Sequence, residues 1–180
     1  MKSGLIALVI LLMTFGADAQ KMFTRDGKLT FVSDAPMEKI EATTSSGMSV
    51  WDTESGALEI QVLVKTFAFE KALMEEHFNE NYLESDKYPY MRFEGTFEGD
   101  EPLDRLNGEC FVSGTLKLHG VSQPLRTKTQ WSREGDQLLL RVAFVTRPAD
   151  FEIKIPKIVI KKIAEEVEIE GVFRFSLAGE

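Results

Sequence analysis

Two histidines, His77 and His119, are the only imidazoles in this 180-residue chain, so metal or general-base chemistry has to pass through them or through carboxylates. Glu75, Glu76, His77 and Glu80 place a histidine and acids on one helix face, because residues three and four apart are neighbours. A zinc site also needs further ligands, and the order is not HExxH; a solvated acidic helix accounts for the same letters. His119 stands in a Leu118-His119-Gly120 turn with no Ser, Cys or acid spaced to form a nucleophilic group. It reads as a turn or rim residue that hydrogen-bonds locally. Cys110 is the single cysteine, which rules out an intrachain disulfide. With no His or basic neighbour to lower its pKa, it reads as a small strand residue and not a reactive thiol. The pairs Glu165-Glu166 and Asp100-Glu101 flank turns or strand starts, where solvated surface is the default. No catalytic group and no metal or cofactor site emerges, and a non-enzymatic role is expected.

The elements that would position any site are mostly strands. The exception lies within Phe67 to Phe97. An acidic stretch near residues 70–80 has helical character, with Met74, Phe78 and Tyr82 spaced at four residues as an apolar stripe. It runs through Lys87-Tyr88-Pro89 into a strand where Met91, Phe93, Gly95 and Phe97 alternate with Arg92, Glu94, Thr96 and Glu98. A helix hinged on an amphipathic strand is a local plan for a lid or plug. The same period of two marks Leu58 to Lys65, Leu138 to Val145 and Val167 to Leu177. Weaker strands are expected at Leu29 to Ser33, Ile40 to Thr44, Ser49 to Asp52, Glu109 to Leu118 and Val121 to Ser132, divided by turn residues. Pro124 suggests an edge, a strand start or a bulge. Phe151 to Ile160 reads as a strand interrupted at Pro156. The pattern is all-β, with about eight or nine antiparallel strands and no βαβ repeat, as a sandwich or a closed barrel. Short loops and a densely charged polar face favour a soluble protein over a membrane barrel.

Composition narrows the function classes. Lys2, the apolar run Leu5 to Phe15 and Ala17-Asp18-Ala19 have the form of a secretory signal peptide over residues 1–19. No cysteine stands near the cleavage point, so a soluble exported domain is expected over residues 20–180, periplasmic or secreted. That length suits one domain with a sizeable core. The formal net charge of −8 opposes nucleic-acid binding, which draws on Lys and Arg. Thirteen Phe and seven Met supply more apolar surface than a small core needs, and a barrel of about eight strands can hold one small ligand.

Three stretches, FEKALMEEHFNENYLESDKYPYMRFEGTF, FVSGTLKLHGVSQPL, and DFEIKIP followed by EVEIEGVFRFSL, closely resemble the YceI-like family of exported lipid-binding proteins. The resemblance spans about residues 27–177. Its most specific parts are Glu76-His77-Phe78 with Lys87-Tyr88-Pro89, and Gly114-x-Leu116-x-Leu118-His119-Gly120-Val121. It implies a lipocalin-like eight-stranded antiparallel barrel with a helical insert near residues 70–80 and an apolar tunnel for an isoprenoid or fatty lipid. The inward-facing candidates for that tunnel are Phe31, Ile60, Val62, Phe78, Met91, Phe93, Phe97, Phe111, Trp131, Leu140, Val142, Phe144, Ile169, Phe173 and Phe175. The region of Gln123 and Pro124 and the segment from Phe151 to Lys162 depart from the family pattern. Lys154, Lys157, Lys161 and Lys162 form a basic cluster that suits either a solvated face or a transient contact with a membrane surface. The oligomeric state stays open, a homodimer included. Two alternatives to lipid binding remain: a filled barrel acting as an interaction or stress-response module, and an enzyme acting on a lipid.

Overall fold

The computed structural model describes residues 21–99, 107–156 and 163–177. The expected signal peptide, the Asp100-Glu101 pair and Lys157, Lys161 and Lys162 lie outside the described residues. The alternating segments form β1 (Lys21–Asp34), β2 (Lys39–Asp52), β3 (Ala57–Leu63), a two-residue β4 (Ala68–Phe69), β5 (Tyr90–Glu98), β6 (Asn107–Leu118), β7 (Val121–Glu134), β8 (Gln137–Thr146) and β9 (Val167–Leu177). Every strand pairing among the described residues is antiparallel. Pairing runs β1-β9-β8-β7-β6-β5-β3-β2, and β2 pairs back on β1. The sheet therefore closes, and of sandwich and barrel it is the eight-stranded barrel. β4 adds a short rung to β2 through Ala42–Phe69 and Thr43–Ala68.

Three local expectations are corrected. Ile40 to Thr44 and Ser49 to Asp52 belong to one strand, because Gly47 sits opposite Gly27 at a bulged register that carries β2 through without a break. A Cβ on Gly47 would lie 2.6 Å from the Gly27 carbonyl oxygen, so the two chains approach too closely for a side chain there. Phe151 to Pro156 is no strand. Pro148–Phe151 makes a 3₁₀ turn, and Glu152 at φ 56° turns the chain so that Phe151 and Ile153 are both buried. Phe111 does not face inward. On β6 the buried positions are Val112 and Leu116, and Phe111 is exposed on the opposite parity with the Arg126 guanidinium 3.8 Å over its ring. Pro124 pairs with Thr115 of β6, while the β7–β8 register begins at Thr129. Its missing N–H therefore falls where β7 has one strand neighbour, as an edge position requires.

Inside the barrel the two ends differ. At one end Trp51 is fully buried, with the Phe97 ring centroid 4.9 Å away and that of Phe175 6.0 Å away. Leu58, Phe93, Val112, Leu140 and Phe173 fill the middle, each buried side chain contributing about 1.5–3 kcal/mol. Gly95 and Gly114 face each other across β5 and β6. A Cβ on Gly114 would meet the Glu94 carbonyl oxygen at 2.2 Å, so β5 and β6 can lie this close only with glycine there. What remains of the middle is a hollow of about 40 Å³ between Leu29, Ile60, Phe93, Val142 and Phe173.

Candidate functional site

At the other end the barrel opens into a cavity of about 440 Å³. Its wall begins where β3 stops. The Val64 N–H donates to the Pro89 carbonyl at 2.9 Å, and a 3₁₀ turn at Val64–Thr66 aims Phe67 inward before β4 delivers Phe69. A short helix follows, α1 (Ala72–His77), which runs into one wide turn over Phe78–Tyr82. The Leu83 N–H donates to the Phe78 carbonyl at 2.9 Å, five residues back, and so closes that turn. A six-residue helix without a side-chain cap does not hold on its own. Glu75 accepts the Phe69 N–H at 3.3 Å and Lys71 meets Glu38 of the β1–β2 connection at 2.8 Å. Its main anchor is aromatic. The Phe78 ring stacks on Phe31 at 5.4 Å and meets Phe69 and Phe67 at 5.0 and 5.8 Å.

Met74, Phe78 and Tyr82, the expected stripe, all line the cavity, and burial raises the Tyr82 phenol above its ordinary pKa. Of the other inward candidates, Phe31, Met91 and Ile169 join them. Ile60, Phe93, Leu140, Val142, Phe144 and Phe173 border the deeper 40 Å³ hollow, which Met91 and Ile169 also touch. Val62 and Trp131 belong to the buried core, as do Phe97 and Phe175 against Trp51. The fold thus divides the candidates between the cavity, the hollow and solid core, with Phe111 outside. Sequence reasoning missed Phe67, Phe69, Leu118, Phe151, Ile153 and Ile155 among the residues that line the wall. Their signal was present as alternation in Phe67-x-Phe69 and Phe151-x-Ile153-x-Ile155.

Polar groups near the mouth mostly fasten the chain. His119, in the left-handed region at φ 50°, is not bonded locally as expected. Its Nδ1 lies 3.0 Å from the Phe151 carbonyl and its Nε2 2.8 Å from Glu84 Oε2, with Tyr88 edge-on at 4.7 Å. One imidazole therefore clips three distant segments together. Both neighbours are acceptors, so only a doubly protonated ring donates to both. The hydrogen bond from His119, with the Lys87 charge, holds Glu84 below the ordinary carboxylate range. His77 lies on the cavity wall. Among the described residues no three His, Cys, Asp or Glu side chains gather as a metal site. The Cys110 thiol is 3.0 Å from Thr129 Oγ1, and burial pushes its pKa up, the opposite of an activated thiolate. Glu166 is bound by Arg147 at 2.6 Å.

A closed antiparallel barrel with a short helix laid over an apolar mouth defines a lipocalin-like protein. Residues 13–175 match the YceI-like domain family, and the chain belongs to that family. Solved structures share the fold. A polyisoprenoid-binding domain from Saccharophagus degradans, implicated in plant cell wall breakdown, aligns with a TM-score of 0.74 at 14% identity, covering 88% of this chain and 99% of that one. BcnA of Burkholderia cenocepacia gives 0.69 at 15% identity, with coverages of 82% and 95%. A Campylobacter jejuni YceI protein gives 0.58 at 16% identity, with coverages of 75% and 81%. No curated protein matches the chain. No helix among the described residues is long and apolar enough to cross a membrane.

Proposed function

We propose that this protein binds the apolar tail of an isoprenoid or fatty amphiphile in the mouth cavity, outside the cytoplasm, and carries or sequesters it without a chemical step. One observation carries the reading: a 440 Å³ hollow walled by Phe31, Phe67, Phe69 and Phe78 and roofed by a lightly held helix. Burial of apolar tail area there supplies about 25 cal/mol per Å², less the cost of ordering a flexible chain. The S. degradans domain described as polyisoprenoid-binding supports the ligand class. The exported location follows the signal-like sequence of residues 1–19. Lys154, exposed beside the mouth residue Ile153, suits transient contact with a membrane surface during loading.

Native mass spectrometry and solvent extraction of protein purified from its own compartment test the proposal. A bound amphiphile is expected. Protein that comes out lipid-free and takes up no added fatty or isoprenoid chain would sink it. The filled inner half favours a second reading, a barrel that serves as an interaction module without ligand, and the same measurement decides between the two.

A further inference from the structure

We infer that the ligand tail is short, about 15–18 carbons, and that Met91 and Ile169 set this limit. The inference rests on the lipid-binding reading and specifies its substrate class. A liquid water molecule takes about 30 Å³, close to one methylene, and a 150 Å³ apolar cavity accommodates a six-carbon benzene. On these two scales the 440 Å³ mouth takes about 15 or about 18 carbons. A tail of about forty carbons needs about 1,000 to 1,200 Å³ on the same two scales.

Along the barrel axis the described residues leave such a tail little further room. Below the mouth, among the described residues, lies the 40 Å³ hollow, and Met91 and Ile169 line both spaces. They stand on opposite walls, Met91 opposite Val62 on the β3–β5 ladder and Ile169 between Phe31 and Phe144 on the β1–β9–β8 side. Together they make a partition. Beneath it Phe93 and Phe173 occupy the bore, and beyond them Trp51, Phe97 and Phe175 close the far end. Met91 is half-buried and unbranched. Cutting it back to alanine removes three heavy atoms and joins the hollow to the mouth, adding about 120 Å³ or roughly four carbons on the same volume scale.

The test is a chain-length series of straight 1-alkanols from about ten to twenty-four carbons, with dissociation constants referred to free aqueous alcohol. Each carbon that enters the cavity should tighten binding roughly fourfold. Alcohols suit a mouth whose Lys71 is already engaged by Glu38. For the native protein the gain should stop near 16 carbons, and for Met91→Ala it should continue to about 20. Ile169→Ala, which opens the partition from the other wall, gives a second route to the same shift should Met91→Ala unfold. A native series that keeps gaining to the longest alcohol overturns the limit and leaves lipid binding standing. An unmoved break point in both folded variants overturns the partition. If no alcohol binds, the lipid-binding reading falls and this inference with it.

Discussion

Replacing Phe78 by alanine should detach the helical roof without unfolding the barrel. Phe78 loses ring contacts with Phe31, Phe67 and Phe69, each contributing at least about 0.5 kcal/mol, so about 1.5 kcal/mol together. Transfer of a half-buried phenyl ring to water adds about 1.5 kcal/mol. Nothing within Ala72–His77 or Phe78–Tyr82 is fully buried, so few other contacts resist opening. A loss of about 3 kcal/mol is about a hundredfold in the opening equilibrium. Amide hydrogen exchange reads it directly. The Leu83 and Ser85 N–H groups, bonded to the Phe78 and Asn79 carbonyls at 2.9 and 2.8 Å, should exchange about a hundredfold faster. Amides of β8 and β9 should change little. Phe78→Leu keeps most of the transfer free energy and should accelerate exchange only about tenfold. If roof and barrel amides accelerate together, the roof is part of the barrel's cooperative unit. If neither changes, the ring cluster does not hold it. Either result refutes the reasoning.

Acid should loosen the His119 clip. Glu84 has a folded-state pKa below its ordinary value, so its contribution is present above the unfolded carboxylate value, near about 4.3, and lost as pH falls through the folded value. The difference in Tm between native protein and Glu84→Gln should shrink below that pH; a gap that does not vary with pH would contradict the assignment. Gly114→Ala puts a methyl group against the Glu94 carbonyl oxygen and should cost about 1–3 kcal/mol in urea unfolding, whereas a neutral result would mean that β5 and β6 can move apart. Phe93→Ala in the filled bore should cost about 3–5 kcal/mol and Phe111→Ser on the outer face under about 1 kcal/mol; equal losses would reverse the assigned facing of Phe111.

The strands were legible because alternation and hairpins are local in sequence. Closure was not, since sandwich and barrel share that pattern; the barrel followed from the family resemblance and from the pairing of β2 back on β1. Leu58, Ile60 and Val62, or Phe173 and Phe175, declare their inward face by period two. Phe111 shows where residue type misleads. Its neighbours Val112, Leu116 and Leu118 set the parity of β6, and a phenyl ring on the other parity is tolerated outside because Arg126 covers it. Parity in a strand outweighs hydrophobicity at one position. The helical stripe Met74, Phe78 and Tyr82 was legible for the same reason at its own period. The cavity was not. Its wall depends on Glu152 adopting a left-handed conformation and on the turn at Val64–Thr66, and these send Phe151, Ile153 and Phe67 inward from segments whose alternation is too brief to declare a facing. How far the side chains fill the bore is likewise a matter of volumes summed across eight strands, which no window of sequence contains.

The two tryptophans have a practical meaning for anyone titrating this protein. Trp51 and Trp131 are both buried in the core, and neither lines the mouth cavity. Intrinsic indole emission will therefore report whether the barrel is folded and stay nearly silent when a chain enters the mouth. A flat fluorescence titration is the expected record of an occupied site, and a reporter has to be placed in the wall itself, where Phe69→Trp would sit against the incoming tail.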